Sequence, residues 1–395
     1  SFLLHIIMKI FLKDHKVYFY TLFFLLFLLL FFILLPKVLS NHYVKNPNIV
    51  KEEELASPIN TEPVFVPSYV STPEPLKGIY MTSWTASDKR LRGNLEKIIE
   101  DTELNSLVID IKDYTGKIIF PVSSEKLKSY GSEEVRVKDL QDFIEELHKK
   151  DIYVIGRVAV FQDAYFVKHR PDLAVKNKTG DKVWKDRKGI SWIDAGSQEY
   201  WDYIILLAKE SHKLGFDEIN FDYIRFPSDG DMKDISYPFS STTPKALVLK
   251  DFFKYLHKNL YDSNMKTSAD LFGMVTTAQD DMGIGQLLEN ALPYFDYISP
   301  MVYPSHYPAT FEGFKEPEAH PYEVVRFAMQ SAVNRANNAS TSPSKLRPWL
   351  QDFGLRVDYG ANEVRAQIKA TNDVGLSSWL LWSASNKYTK GALDQ

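Results

Sequence analysis

Cysteine is absent from all 395 residues. That removes disulfides, thiolate metal sites and a cysteine nucleophile in one step. The chain also lacks an HExxH helix, a His-x-His pair on its first predicted strand, a G-x-S-x-G elbow and a Walker loop. Zinc hydrolases, serine hydrolases of the α/β type and P-loop enzymes therefore find no ligand set or nucleophile here. No cofactor and no metal site is expected, and the residue types leave room only for a carboxylate-bound Ca2+ or Mg2+. A long basic block is missing too: 47 Lys and Arg stand against 51 Asp and Glu, for a formal charge of −4. Phosphate binding needs clustered cations, so nucleic acid is not an expected partner. What is present is ring-rich. Aromatics reach 14%, with 22 Tyr and 25 Phe, and beyond an N-terminal Phe-rich run they lie in the folded part, where sugar clefts and plain cores both use rings.

The N-terminus carries one long apolar run, VYFYTLFFLLFLLLFFILL, from Val17 to Leu35. About 20 helical residues span a bilayer, and a signal-peptide core usually has only ~7 to 15 apolar residues. The run is therefore read as an uncleaved transmembrane anchor. Lys9, Lys13 and Lys16 against Asp14 place residues 1–16 in the cytoplasm and the remainder outside. The rival reading is a cleaved signal peptide, with Val38 and Ser40 as small residues before the cut and a secreted product. Residues 36–77 turn polar and proline-rich, with Pro47, Pro58, Pro63, Pro67, Pro73 and Pro75, and are expected to form an extended tether.

From Gly78 to the C-terminus short β-rich apolar runs alternate with amphipathic segments, the pattern of parallel βαβ units. Eight strands are predicted: Gly78 to Trp84, Ser106 to Asp113, Tyr153 to Phe161, Glu218 to Pro227, Lys266 to Gly273, Tyr297 to Pro304, Leu346 to Phe353 and Leu376 to Ala384. Helices are predicted between them near Leu91 to Asn105, Val137 to Lys150, Ser197 to Leu214, Pro244 to Tyr261, Ile284 to Leu292, Tyr322 to Asn338 and Asn362 to Val374. Eight strands with seven intervening helices predict a (β/α)8 TIM barrel over 78–395. A doubly wound open sheet is the rival, but no glycine-rich nucleotide loop follows the first strand. One βα connection, Gln162 to Gly196, is unusually long, and loops of that length are usually functional. Its Thr179-Gly180-Asp181 centre reads as a hairpin turn.

In such a barrel the chemistry sits where the strands end. Strand four, Glu218-Ile219-Asn220-Phe221-Asp222-Tyr223-Ile224-Arg225-Phe226-Pro227, is the most informative stretch. Its alternation predicts a strand whose exit carries a carboxylate and a guanidinium. Glycoside cleavage needs two carboxyl groups flanking the bond, one to protonate the leaving oxygen and one to act as nucleophile or as base for water. Asp222 and Asp270 on the adjacent strand are the candidate pair, with Arg225 expected to hold Asp222 ionised. Trp84, Asp110, Asp194, Tyr303, Asp352 and Trp382 are expected to join Arg225 in binding sugar. The plainer alternatives are a structural ion pair for Asp222 with Arg225, a buried pair for Asp110 with Lys112, and a solvent-facing side chain for His306.

The stretches RPDLAVKNKTGDKVWKDRKGISWIDAGSQEYWDY, NFDYIRFPSDG, ISPMVYPSHYP and RPWLQDF resemble the glycosyl hydrolase domain of bacterial membrane-attached and exported proteins, a domain of unknown function. The resemblance runs from about Lys77 to the C-terminus and implies a TIM barrel acting on polysaccharide. A looser likeness is to chitinase-type barrels, whose fourth strand reads D-G-x-D-x-D-x-E. Laid on it, Asp217 and Asp222 match, Asn220 replaces an acid, and Ile224 stands where the catalytic Glu belongs. The departure removes that proton donor, and no Glu lies at any predicted strand exit, so any acid and base here are expected both to be Asp. The leading expectation is a glycoside hydrolase of cell-surface or cell-wall polysaccharide. The alternative is a non-catalytic glycan-binding or envelope-scaffold domain.

Overall fold

The computed structural model describes residues 65–394. The apolar run at 17–35, the residues before it and most of the proline-rich segment lie outside the described residues. Among the described residues no helix is long and apolar enough to cross a membrane.

Eight parallel strands close into a barrel in sequence order. They are β1 Lys77–Met81, β2 Ser106–Lys112, β3 Tyr153–Ala159, β4 Glu218–Asp222, β5 Lys266–Phe272, β6 Tyr297–Met301, β7 Trp349–Gln351 and β8 Trp379–Trp382. Pairing of β1 with β8, Gly78 opposite Leu380, completes the ring. The architecture is the expected (β/α)8 barrel, and five strands begin at the predicted residue.

Strand exits are shorter than predicted, and local chemistry explains two of them. β1 stops at Met81 because Thr82 caps the short helix Ser83–Ser87, its side chain accepting from the Thr85 amide at 3.1 Å. β4 stops at Asp222 because Tyr223 takes a left-handed backbone, φ 53°, and its amide turns to the Asp222 carboxylate at 2.5 Å. The Tyr223 amide has thereby left the ladder, while its carbonyl still accepts from the Phe161 amide at 3.2 Å.

The helices form the outer ring. In Gln198–Lys213 the buried residues Tyr200, Tyr203, Ile204, Leu207 and Ala208 recur at the i, i+3, i+4, i+7, i+8 spacing of one helical face. The predicted helix Ile284 to Leu292 shrinks to Leu288–Ala291. Gly283 and Gly285 upstream of it have positive φ, 67° and 85°, a conformation no helix continues through.

Period-two alternation divides each strand between two cores. On β4, Ile219 and Phe221 pack outward into the layer under the helices. The barrel interior holds Tyr80, Val108, Tyr153, Ile155, Trp349 and Leu380. Residues 65–76 run extended along the face where strands begin: the Val70 amide donates to Asp217 at 2.7 Å and the Leu76 amide to Ser378 at 3.0 Å.

The long connection after β3 is ordered as predicted around its turn. Asn177 and Lys182 close a hairpin, the Asn177 amide donating to the Lys182 carbonyl at 2.9 Å, and Gly180 supplies the positive φ of 81°. Antiparallel bridges, Ala174 with Ile193 and Lys176 with Val183, continue it as a small arm beside the strand exits.

Candidate active site

The strand exits surround a cavity of about 430 Å³, lined in part by Arg157, Asp222, Arg225, Asp270, Tyr303 and Trp382. Its centre is Arg157, which projects from β3 into the barrel. Register explains the meeting: Asp110 on β2 lies opposite Arg157, and Arg157 lies opposite Asn220 on β4. Two residues further along β4, on the same face, stands Asp222.

One guanidinium therefore serves several carboxylates. Arg157 donates through Nη1 to Asp110 at 2.6 Å and through Nη2 to Asp222. Its Nε lies 3.8 Å from Asp270. Asp110 also accepts from the Tyr80 hydroxyl. Burial weakens the charge of Arg157, but Asp222 and Asp110 more than offset this and hold it firmly protonated.

Asp222 and Asp270 are held differently. Asp222 accepts from a guanidinium and from the Tyr223 amide at 2.5 Å, donors suited to an ionised carboxylate. Asp270 accepts through one oxygen only, from Asn220 at 2.8 Å and from the Trp349 indole at 2.8 Å. Burial, and next the charge of Asp222, push its carboxyl up to about 8. Near neutral pH Asp270 is therefore mainly a neutral acid with a proton to give. Two carboxyl groups facing one cavity in such different surroundings are the arrangement by which one fold runs acid and base chemistry together.

Aromatic walls complete the cavity. Trp382 stacks on Tyr80 with ring centroids 3.9 Å apart and meets Trp349 edge-on at 5.6 Å. Tyr303 and Phe353 stand edge to face. On the far wall Gly273 allows a close approach: a Cβ there would sit 2.4 Å from the Met301 carbonyl oxygen.

Of the residues expected at the site, the structure brings Asp222, Asp270, Arg225, Tyr303 and Trp382 to this cavity. The others lie elsewhere. Trp84 is 62% exposed on the helix after β1 and is covered by the Arg136 guanidinium at 4.4 Å. Asp110 is buried beneath the cavity as an anchor for Arg157. Its expected partner Lys112 pairs with Asp163 at 2.8 Å instead. Asp194 staples the loop after β4, accepting from the Phe239 amide at 2.7 Å and from the Ser240 hydroxyl. Asp352 ties β7 to the C-terminal segment through the Thr389 amide and hydroxyl, at 2.8 and 2.6 Å. None of these three carboxylates lines the cavity. Arg225 does not pair with Asp222; Arg157 does. His306 is exposed, as expected, yet reaches the cavity rim.

Sequence reasoning gave no role to Arg157, nor to Asn220 and Trp349, which aim Asp270. Their common signal is an inward register position one layer below the exits. Ile224, at the position of the chitinase Glu, is fully buried in the outer core, so β4 supplies a single carboxylate to the cavity.

A closed barrel with a paired acid and carboxylate at its C-terminal face is of the glycoside hydrolase type. Residues 78–388 match the family described as "Putative glycosyl hydrolase domain", and the chain belongs to that family. Among solved structures, the glycoside hydrolase domain of PgaB (BpsB) from Bordetella bronchiseptica is similar at a TM-score of 0.60 and 14% identity, covering 80% of this chain and 95% of that one. A class V chitinase from Pseudomonas fluorescens Pf-5 gives 0.50 and 13%, covering 80% and 97%. A hypothetical protein from Ruminiclostridium thermocellum is 30% identical with a TM-score of 0.45, covering 52% of this chain and 98% of that one. No curated protein matches the chain. The likenesses at 13 and 14% identity concern the fold; the assignment of residues rests on the geometry above.

Proposed function

We propose that this protein is an extracytoplasmic glycoside hydrolase of cell-surface or cell-wall polysaccharide, held at the membrane by residues 17–35. The observation that carries the catalytic reading is the pair Asp222 and Asp270. They come from adjacent strands and face one cavity, the first held by charged and amide donors, the second pushed up to about 8 by burial and by its neighbour. Asp270 gives its proton to the leaving glycosidic oxygen. Asp222 either attacks the anomeric carbon or takes a proton from the water that does, and the stereochemistry of the product distinguishes the two. Trp382 and Tyr303 offer flat apolar faces to the C–H surface of a sugar ring.

Asp270→Asn is the sharpest test, because the amide oxygen can keep the bonds from Asn220 and Trp349 and the variant should fold. Removing a general acid costs about 10²- to 10⁴-fold in rate. The sign of the pH dependence follows from the same group. The acid form is required, so kcat/KM in the wild type falls as pH rises through about 8, and Asp270→Asn abolishes that limb. Full turnover in Asp270→Asn would reject the assignment.

The second reading, a glycan-binding domain without turnover, is favoured by Ile224 in place of the chitinase acid. Glycan binding with no product formed by the wild type would support it. The anchor is tested separately by the N-terminus of the mature protein, since a start near Asn41 would mean that the apolar run is removed.

A further inference from the structure

Four arginines are buried in the described residues: Arg92, Arg157, Arg225 and Arg347. Three have carboxylate partners, Arg92 with Asp139 at 2.8 Å, Arg157 with Asp110 at 2.6 Å and Arg347 with Glu218 at 2.6 Å. Arg225 has none within ion-pair distance among the described residues. It is 8% exposed and lines the cavity.

Its surroundings show a cation built into place. The guanidinium lies 4.7 Å from the Trp192 ring and 4.6 Å from the Phe272 ring. It hydrogen-bonds only through Nη1, to the Phe226 carbonyl at 3.0 Å and the Ser228 hydroxyl at 3.3 Å. Among the described residues no acceptor meets Nε or Nη2, the edge that grips a carboxylate bidentately. Of the nearby acids, Asp229 acts on Arg225 from beyond ion-pair distance, and Asp222 and Asp186 have donors of their own. Asp222 faces Arg157 and the Tyr223 amide. Asp186 accepts from the Lys188 and Ile190 amides and from the Trp192 indole, all within 3.0 Å.

Leaving a buried charge unpaired is strongly unfavourable, and stacking on rings recovers only part of it, up to about 2 kcal/mol when desolvated. Burial accordingly works against the charged form of Arg225. A partner that arrives with the ligand removes the deficit. The cavity already carries Asp222, which disfavours a dianion, and the free edge is planar and forked, which favours a carboxylate.

We propose that Arg225 is an anion-recognition residue and that the cavity takes an acidic sugar, one bearing a carboxylate that pairs with Nε and Nη2. This deepens the glycosidase reading and rests on it for the word sugar, but the pairing itself is a binding property. The long arm after β3 then has a role, since its Trp192 props the guanidinium toward the cavity.

The test is binding of glucuronate, glucose and glucose 6-sulfate to the full chain, read by Trp fluorescence, with wild type, Arg225→Gln and Arg225→Lys. Glucuronate should bind at least tenfold more tightly than glucose and lose its advantage as salt is raised. Arg225→Gln should abolish the preference, and Arg225→Lys should keep the charge but only part of the preference. Equal binding of glucuronate and glucose, or a preference that survives Arg225→Gln, would overturn the proposal. Glucose 6-sulfate binding as tightly as glucuronate would overturn the carboxylate assignment. Because binding is the readout, a protein that turns over nothing can still show the preference, and an enzyme dependent on Asp270 can still lack it, so the two readings fail separately.

Discussion

The two ends of β4 both bury acids, and they partner them in opposite ways. Where the strand begins, Glu218 meets Arg347 at 2.6 Å with the Tyr153 hydroxyl at 3.1 Å, and the guanidinium lies 3.6 Å from the Tyr297 ring. Where it ends, one Arg157 faces Asp110, Asp222 and Asp270, and the space beyond is a cavity. The first is a one-to-one pair beside aromatic rings, and it ties β4 to the segment before β7. The second has more carboxyl groups than its central cation can neutralise, so one of them keeps a proton. A buried acid is evidence of chemistry only when its neighbours leave it something to do.

The largest effect expected from breaking this contrast is at the closed end. Arg347→Met leaves Glu218 buried and unpaired and should cost about 3 to 5 kcal/mol in stability, measured by urea unfolding. The double variant Glu218→Leu with Arg347→Met should recover most of the loss, because a well-packed apolar replacement of a buried pair is often neutral. A double variant as unstable as the single one would show that the pair does more than fill space. At the open end, Asp222→Asn removes one of two carboxylate acceptors of Arg157, and a destabilisation of about 1 to 3 kcal/mol is expected, together with loss of turnover. Unimpaired turnover there would place the chemistry elsewhere. The smallest effect is outside both layers: Trp84→Ala gives up one exposed cation–π contact with Arg136, about 0.5 to 1 kcal/mol, and turnover should not change. A marked rise in KM in that variant would bring Trp84 back into the sugar path.

Legibility in the sequence followed the range of the interaction concerned. The starts of β2, β3, β4, β5 and β6 fall at the predicted residues because alternation is a property of neighbouring residues. Exits were overextended, since the left-handed turn at Tyr223 and the cap at Thr82 leave no mark in hydrophobicity. At the site, Asp110, Asp194, Asp222, Asp270 and Asp352 look equivalent as polar residues near strand exits. What separates them is which donors reach them. For Asp194 and Asp352 these come from the loop at Phe239 and Ser240 and from the segment at Thr389, partners that no local pattern announces.

By itself the sequence determined the alternation that makes eight βα units, the lack of cysteine, of an HExxH helix and of a Walker loop, and the replacement of the chitinase acid by Ile224. Closure of the barrel decided the rest. Arg157 meets carboxylates 47 and 65 residues away in the chain, while Arg225, three residues from Asp222, has none among the described residues. Sequence proximity suggested the opposite pairing. Ion pairs inside a barrel are set by strand register and by which face of the strand a residue occupies, and beyond the exits the turn of the backbone takes over.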